Sequence, residues 1–278
     1  MSRPKTLHVM LGDQHVGWLV EAHGRVGMKF DPAWRDRADR RILSLSMEET
    51  RLQDIRAVPG LPSWFANLMF EGELRAWIEQ SEGVERHDLS FLARVGEDLL
   101  GAVTVVVADA DVGPLCAEAT QRLRRTPLGG QLRWSLAGVQ LKLNLASRGD
   151  RFAIPVHGEP GCFIAKFADI RFPDVPLFEH ATMRWADAAG ISVAETRLIQ
   201  PGEINEIPFA LRTVDEPVLL VSRFDRTNDG TERIHAEEFA QALNIRPQEK
   251  YERYGWRHHL KLVARVCPQD IAESCLSG

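Results

Sequence analysis

Short apolar-rich runs broken by tight-turn residues open the chain. Residues 6–11, 16–20 and 26–30 are such runs, separated by Gly12-Asp13 and His23-Gly24. Turns of this composition join antiparallel strands, so the spacing predicts a three-stranded meander. Pro59-Gly60-Leu61-Pro62 is a stop, after which Ser63 reads as the cap of a helix with Phe65, Leu68 and Met69 on its core face. Asp88 predicts a helix running to about residue 94. Residues 101–107 form a continuous apolar strand, the pattern of burial on both faces.

The stretch 108–113, with Asp109-Ala110-Asp111 and then Gly113 and Pro114, predicts a linker. A short helix over 114–125 ends at Pro127-Leu128-Gly129-Gly130. Strands are expected over 163–167, 192–199, 207–213 and 218–224. Between the first two, residues 177–189 show helical periodicity, with Phe178, Ala181, Trp185, Ala188 and Ala189 near one face and Gly190 at the C′ position. Short helices follow over 236–243 and 260–266. His15 and His23 adjoin turns and read as exposed turn residues. His258-His259 has no metal-ligand spacing and reads as surface.

Apolar residues make up 44 % of the 278 and charged residues 26 %, an ordinary globular composition. The net charge of −5 excludes a general nucleic-acid-binding field. That average hides a basic stretch. Between Gln121 and Arg151, seven basic residues face Asp150 alone, a local +6 against −11 for the remainder. It reads either as a solvated face or as a field that attracts an anionic ligand such as a nucleotide. Cys116, Cys162, Cys267 and Cys275 fit neither a zinc pattern nor a compact disulfide framework, so they read as reduced thiols. The N-terminus carries no apolar targeting segment, and no window approaches a membrane span. A cytoplasmic protein without a membrane partner is expected.

The candidate chemistry lies between Trp134 and Phe167. Trp134-Ser135-Leu136-Ala137-Gly138-Val139-Gln140-Leu141-Lys142 is a turn of small residues between apolar ones. Gly138 permits φ > 0 or a close backbone approach, and successive N–H groups in such a turn cradle phosphate oxygens. Phe163-Ile164-Ala165-Lys166 is a strand with a lysine in an apolar run. A lysine in that setting calls for a partner, and phosphate is one. A lone turn glycine is ordinarily just a turn, and a lone strand lysine ordinarily faces solvent. Loop, strand and strand lysine together are the layout of a kinase N-lobe. Glu179, 13 positions after Lys166, opens the following helix. It either orients the lysine, as in protein kinases, or simply favours the helix N-terminus.

These residues resemble the HipA-type toxin kinases. Ser135 to Lys142 is similar to the family loop S-x-A-G-x-Q-x-K, and Phe163 to Lys166 looks like its nucleotide-binding lysine strand. Leu11-Gly12-Asp13-Gln14-His15-Val16-Gly17, Pro62 to Arg75, His235 to Gln241 and Gln248 to Glu252 resemble further family segments; Phe70 stands where Pro is usual. Val221-Ser222-Arg223-Phe224-Asp225-Arg226 is similar to E-R-F-D-R, the hinge whose backbone meets adenine, with Ser222 in place of Glu. Asp225 and Arg226 read as a local surface pair or as ligand groups.

The resemblance implies an α+β protein: a HipA N-terminal, antiparallel β-rich subdomain over 1–110, a kinase-like N-lobe over 111–224, and the start of a helical C-lobe over 225–278. It implies ATP at Ala137, Gly138, Val139, Gln140, Leu141, Lys142, Lys166, Ser222, Arg223 and Phe224. Glu179 would orient Lys166, and Ser135 would be an autophosphorylation site. It also implies a HipB-like DNA-binding antitoxin as partner, DNA contacted only through that antitoxin, and an aminoacyl-tRNA synthetase as substrate. The chain departs from the family where catalysis is concerned. Gly-Asn-x-Asp-x-His-x-x-Asn and the following Tyr-Asp do not occur; beyond Phe224 the only asparagines are Asn228 and Asn244. The expectation is therefore a HipA-like serine/threonine kinase fold lacking most of its helical C-lobe, with no catalytic Asp and no Mg²⁺ ligands. The alternative is a non-catalytic remnant that binds antitoxin or nucleotide without phosphoryl transfer.

Overall fold

The structure, a computed structural model, describes residues 6–69, 75, 87–107, 142–155, 161–168, 172–205, 216–227, 232–250, 252 and 254–269. Strands β1 (Thr6–Leu11), β2 (Gln14–Ala22) and β3 (Arg25–Phe30) form the expected meander. The turn between β2 and β3 places both His23 and Gly24 at positive φ, 53° and 73°, the backbone that a two-residue hairpin with strand-compatible twist demands. His23 is exposed there, as its sequence setting predicts. Two further strands, β4 (Ile55–Pro59) and β5 (Val103–Val107), complete a five-stranded antiparallel sheet in the order β4-β3-β2-β1-β5. β5 is shorter than predicted and is not buried on both faces: only Val103 and Val105 are fully buried. It is an edge strand, and its second face, with Thr104 and Val106, is only half-buried.

The short helices α1 (Pro32–Arg35), α2 (Leu45–Glu49), α3 (Ser63–Ala66) and α4 (Asp88–Val95) supply Trp34, Trp64, Phe65, Phe91 and Leu92 to the core over this sheet. Each buried indole finds an acceptor: Trp34 Nε1 donates to Gln14 Oε1 at 3.1 Å, and Trp64 Nε1 to Glu237 Oε2 at 3.0 Å. His15 corrects its sequence reading. A bulge between Val9 and Met10 brings it beside His8, and it is hydrogen-bonded at 3.0 Å to His8 and at 2.8 Å to Asp31. Sequence adjacency to a turn could not reveal a contact made across the strand pair.

The second sheet has the order β10-β7-β6-β8-β11-β9. Its strands are β6 (Lys142–Arg148), β7 (Arg151–Ala153), β8 (Phe163–Lys166), β9 (Thr196–Ile199), β10 (Ile204–Asn205) and β11 (Val218–Ser222). All neighbours pair antiparallel except β10 with β7. Helix α5 (Val175–Ala188) lies beside β9 and β11. It ends at Gly190, φ 82°, where Gly190 N donates to Asp187 O at 2.9 Å and Ile191 N to Ala186 O at 3.0 Å. This pair of bonds satisfies carbonyls that the helix end would leave open. The apolar stripe of α5 does not point inward, as periodicity alone suggests: Phe178 is 70 % exposed and Trp185 78 %. Two small helices follow, α6 (Phe239–Ala242) and α7 (Trp256–Val266). His258 and His259 lie inside α7, not at its start. The predicted linker at 108–113, helix at 114–125 and strand at 207–213 lie outside the described residues. Among the described residues no helix is long and apolar enough to cross a membrane.

The two sheets are joined by buried charge. After β11 the chain leaves its ladder, and Arg223, Asp225 and Arg226 meet the segment between α4 and β5. Asp98, Arg223, Asp225 and Arg226 are each 5 % exposed or less. Asp98 Oδ1 accepts from Arg226 Nη2 at 2.7 Å and Arg223 Nη1 at 3.3 Å. Asp225 Oδ2 accepts from Arg223, Arg226 and the Gly101 N–H at 2.7–2.8 Å. The carbonyls of Leu99 and Gly101 take further guanidinium protons, while the buried Arg226 Nε has no partner among the described residues. The Asp225–Arg226 pair is thus not a surface pair; this corrects the sequence reading. Its partners lie more than a hundred residues away. Gly101 has φ 71°, and a Cβ there would stand 2.6 Å from the Ala236 backbone N, so this junction needs a glycine.

Burial alone would raise the pKa of Asp98, but the guanidinium groups of Arg223, Arg233 and Arg226 outweigh it and hold the carboxyl below its ordinary value. Burial acts on Asp225 in the same way, and its bonds and charges from Arg223 and Arg226 prevail. Depressed carboxylates stabilise the fold above their unfolded value near 3.8, and that contribution is lost as the pH falls through the lower folded values. Arg226→Met leaves buried carboxylate charge undercompensated. It should cost about 3–5 kcal/mol in urea unfolding at neutral pH, with a smaller deficit in strong acid, where both carboxyls are protonated.

Candidate nucleotide site

Strand alternation gives the second sheet two chemically different faces. The register sets Lys142 opposite Lys166 and Asn144 opposite Ile164, so these four side chains share one face. Leu143, Leu145, Phe163, Ala165 and Leu220 belong to the other. Two ammonium groups directly across a strand pair repel, and the structure surrounds them with acids. Lys166 Nζ donates to Glu179 Oε1 from α5. Lys250, next to the turn Pro247–Glu249, donates to Glu238 Oε2 at the start of α6. His180, next to Glu179, shares a 2.9 Å hydrogen bond with Thr196 of β9, which pins this turn of α5 to the sheet.

Sequence reasoning placed Lys142, Lys166 and Glu179 in the site, and the structure brings the three together. It did not place Glu238 and Lys250 there. Both stand in segments that resemble the family, but nothing local marks them as neighbours of Lys142. The cluster as a whole holds three ammonium groups against two carboxylates. It is partly shielded from water and carries a net positive charge, the electrostatic requirement for binding phosphate oxygens.

Lys142 carries most of the strain. Burial, and then the neighbouring Lys166 charge, push its pKa down to about 8, while Glu238 and Glu179 act in the opposite direction. Its protonated form is therefore disfavoured in the folded protein. That penalty is fully present below pH 8, shrinks as the pH rises, and is gone above the unfolded value of 10.5. At about 1.4 kcal/mol per pKa unit, Lys142→Met should stabilise the protein by up to about 3 kcal/mol at neutral pH. The gain should vanish near pH 10.5, as thermal or urea unfolding across that range will show. A bound anion would reverse the sign by favouring the charged lysine.

Strand β11, paired directly with β8, runs into the segment expected to be the hinge. Ser222 N donates to Glu195 O and Arg223 N to Cys162 O, both at 2.9 Å. Phe224 is 68 % exposed, and among the described residues its N–H has no protein acceptor. The backbone is thus anchored on both sides up to Arg223 and turns at Phe224–Asp225 just beyond. The Arg223 side chain is a correction to the expected site: it lies in the buried charge cluster, so only its main chain remains for a ligand. Ser222 points to the opposite face, where it lines a cavity of about 390 Å³ with Phe152, Phe163, Arg197 and Leu220. That cavity holds no lysine and lies across the sheet from Lys142 and Lys166. Ser135 and Ala137 to Leu141 lie outside the described residues.

Comparison with known proteins is consistent with this architecture. Residues 7–106 match the HipA N-terminal domain, and residues 134–276 the HipA-like C-terminal domain. The putative kinase Y4dM of Sinorhizobium fredii is 31 % identical over 98 % of this chain and 68 % of its own length. The serine/threonine-protein kinase toxin HipA of Shewanella oneidensis is 30 % identical over 68 % of this chain and 45 % of its own. The solved complex of Shewanella oneidensis HipA with HipB and operator DNA superposes with a TM-score of 0.63 at 24 % identity. It covers 96 % of this chain and 66 % of that one. The chain spans about two thirds of the length of the relatives that it matches along its whole extent.

Proposed function

The chain belongs to the HipA family of toxin kinases, and from that premise we propose that it supplies the ATP-binding half of a serine/threonine kinase in a toxin–antitoxin pair. The observation that carries this reading is the Lys166–Glu179 ion pair beside Lys142. Lys166, held by Glu179, binds phosphate oxygens as a point charge. Lys142 adds a second charge on the same face, and the hinge main chain at Ser222 to Phe224 matches the donor and acceptor on the adenine edge. The family resemblance of residues 135–141 adds main-chain N–H groups as further phosphate donors in this proposal. Ser135 is the residue modified, and a phosphate there would repel bound nucleotide and expel the loop.

Phosphoryl transfer needs a carboxylate at the substrate hydroxyl and ligands for Mg²⁺. At the lysine site the carboxylates are Glu179 and Glu238, and each is engaged by a lysine. They do not fit a metal-ligand set, so no Mg²⁺ ligand is assigned to these residues. The sequence also lacks the family motif that carries the catalytic Asp. Both facts favour a second reading, in which this polypeptide binds nucleotide or antitoxin and performs no transfer by itself. A HipB-like antitoxin is the proposed partner, supported by the HipA–HipB–DNA composition of the solved structural neighbour; DNA would be reached only through it. A cytoplasmic location and an aminoacyl-tRNA synthetase as the protein substrate complete the proposal.

Calorimetric titration with ATP tests the site. Lys166→Met should weaken binding by roughly tenfold or more, the loss of one charge-assisted contact. Glu179→Gln should weaken it less, because it frees the lysine without removing it. Unchanged affinity in the Lys166 variant would sink the assignment. Intact mass after incubation with Mg·ATP decides between the two readings. A phosphoryl group gained at Ser135 overturns the non-catalytic one; an unchanged mass supports it.

A further inference from the structure

We infer that Asp98, in the first-sheet half of the molecule, is a positioning residue for nucleotide recognition, setting the hinge at a fixed distance from the lysine strand. The inference rests on the nucleotide reading above and extends it to a residue that touches no ligand. Adenine and phosphates are joined by a ligand of fixed length. A protein that binds both ends must hold its two reading elements at a matching separation, to within about half an ångström.

The lysine end is held by the ladder between β6 and β8. The hinge end has ladder support only as far as Arg223. Past Ser222 the chain leaves the sheet: Arg223 N still donates to Cys162 O at 2.9 Å, and Asp225 O accepts from Ile234 N at 3.0 Å beside the isolated bridge between Arg226 and Arg233. The side chains of Arg223, Asp225 and Arg226 add a second anchor, directed at the segment from Asp98 to Gly101. One carboxylate joins both ends. Asp98 Oδ1 takes Arg223 and Arg226 from the hinge, at 3.3 and 2.7 Å. Asp98 Oδ2 takes the amide of Asn144, which lies on β6 two positions from Lys142.

Asp98 is itself firmly placed. Its N–H caps α4 through the Val95 carbonyl, and the flanking main chain is tied by Val105 N to Gly96 O at 2.8 Å and Gly12 N to Ala102 O at 3.1 Å. It is 2 % exposed, so it contacts no solvent-borne ligand. Its influence on nucleotide must pass through Arg223, Arg226 and Asn144.

The test compares ATP with tripolyphosphate, which offers the phosphates without the adenine, on the full chain. Asp98→Asn should lower ATP affinity by roughly tenfold, the worth of one or two misaligned hinge hydrogen bonds, and leave tripolyphosphate affinity within about twofold of wild type. Asn144→Ala keeps every buried charge paired and should show the same pattern to a smaller degree. It decides the matter if the Asp98 variant does not fold. Equal losses for both ligands would mean a merely structural role and would overturn the inference, as would wild-type ATP affinity in both variants. If the wild-type protein itself prefers ATP no more than tripolyphosphate, the hinge reading fails, and this inference with it.

Discussion

The molecule depends on a charge cluster that neither of its sheets contains alone. Two carboxylates, Asp98 and Asp225, are interleaved with the guanidinium groups of Arg223 and Arg226, and Arg233 approaches from the side at 3.7 Å. Taking such charges out of water costs several kcal/mol per ion, and mutual attraction recovers this only when the remaining donors and acceptors are satisfied. Here main-chain carbonyls and the Gly101 N–H complete most of the set. The cluster is better understood as a device of specificity than of stability. Apolar surfaces tolerate sliding, whereas a forked guanidinium between two carboxylates fits in one register. The way β11 emerges from its sheet is therefore fixed by the other half of the chain.

The lysine face shows the complementary situation, charge under strain with an outlet. Lys142 and Lys166 are forced together by strand register, and Glu179 and Glu238 relieve only part of the repulsion. A protein seldom keeps a buried ammonium with a lowered pKa for packing reasons, and such groups gather at functional sites. The two faces of one sheet are thus divided. One packs leucine, phenylalanine and alanine into the common core, and the other presents a cationic patch edged by the hinge.

The limits of periodicity are visible in α5. Phe178, Ala181 and Trp185 follow the spacing of a buried stripe, yet Phe178 and Trp185 are exposed and the helix is held by His180, Glu179 and its packing on β9 and β11. Periodicity reports that a helix has an apolar side. It does not report which side the sheet needs, and here the sheet engages the polar residues that serve the site.

Sequence by itself determined the elements with short-range causes. The His23-Gly24 turn requires positive φ at both positions, Gly190 ends its helix through local bonds, and alternation sets the meander. It also made Lys166 and Glu179 legible, because lysine in an apolar strand and glutamate on the next helix are spaced as a phosphate site requires; Lys142 was implied only by the family resemblance of its loop. Tertiary structure alone decided the rest. Lys250 and Glu238 join the site by chain return, His15 meets His8 through a strand bulge, and Arg223, Asp225 and Arg226 turn inward because Asp98 is there to receive them. The physical reason is common to all three. Whether a charged or polar side chain is buried depends on a partner being present, and here that partner is carried on a different element of the chain.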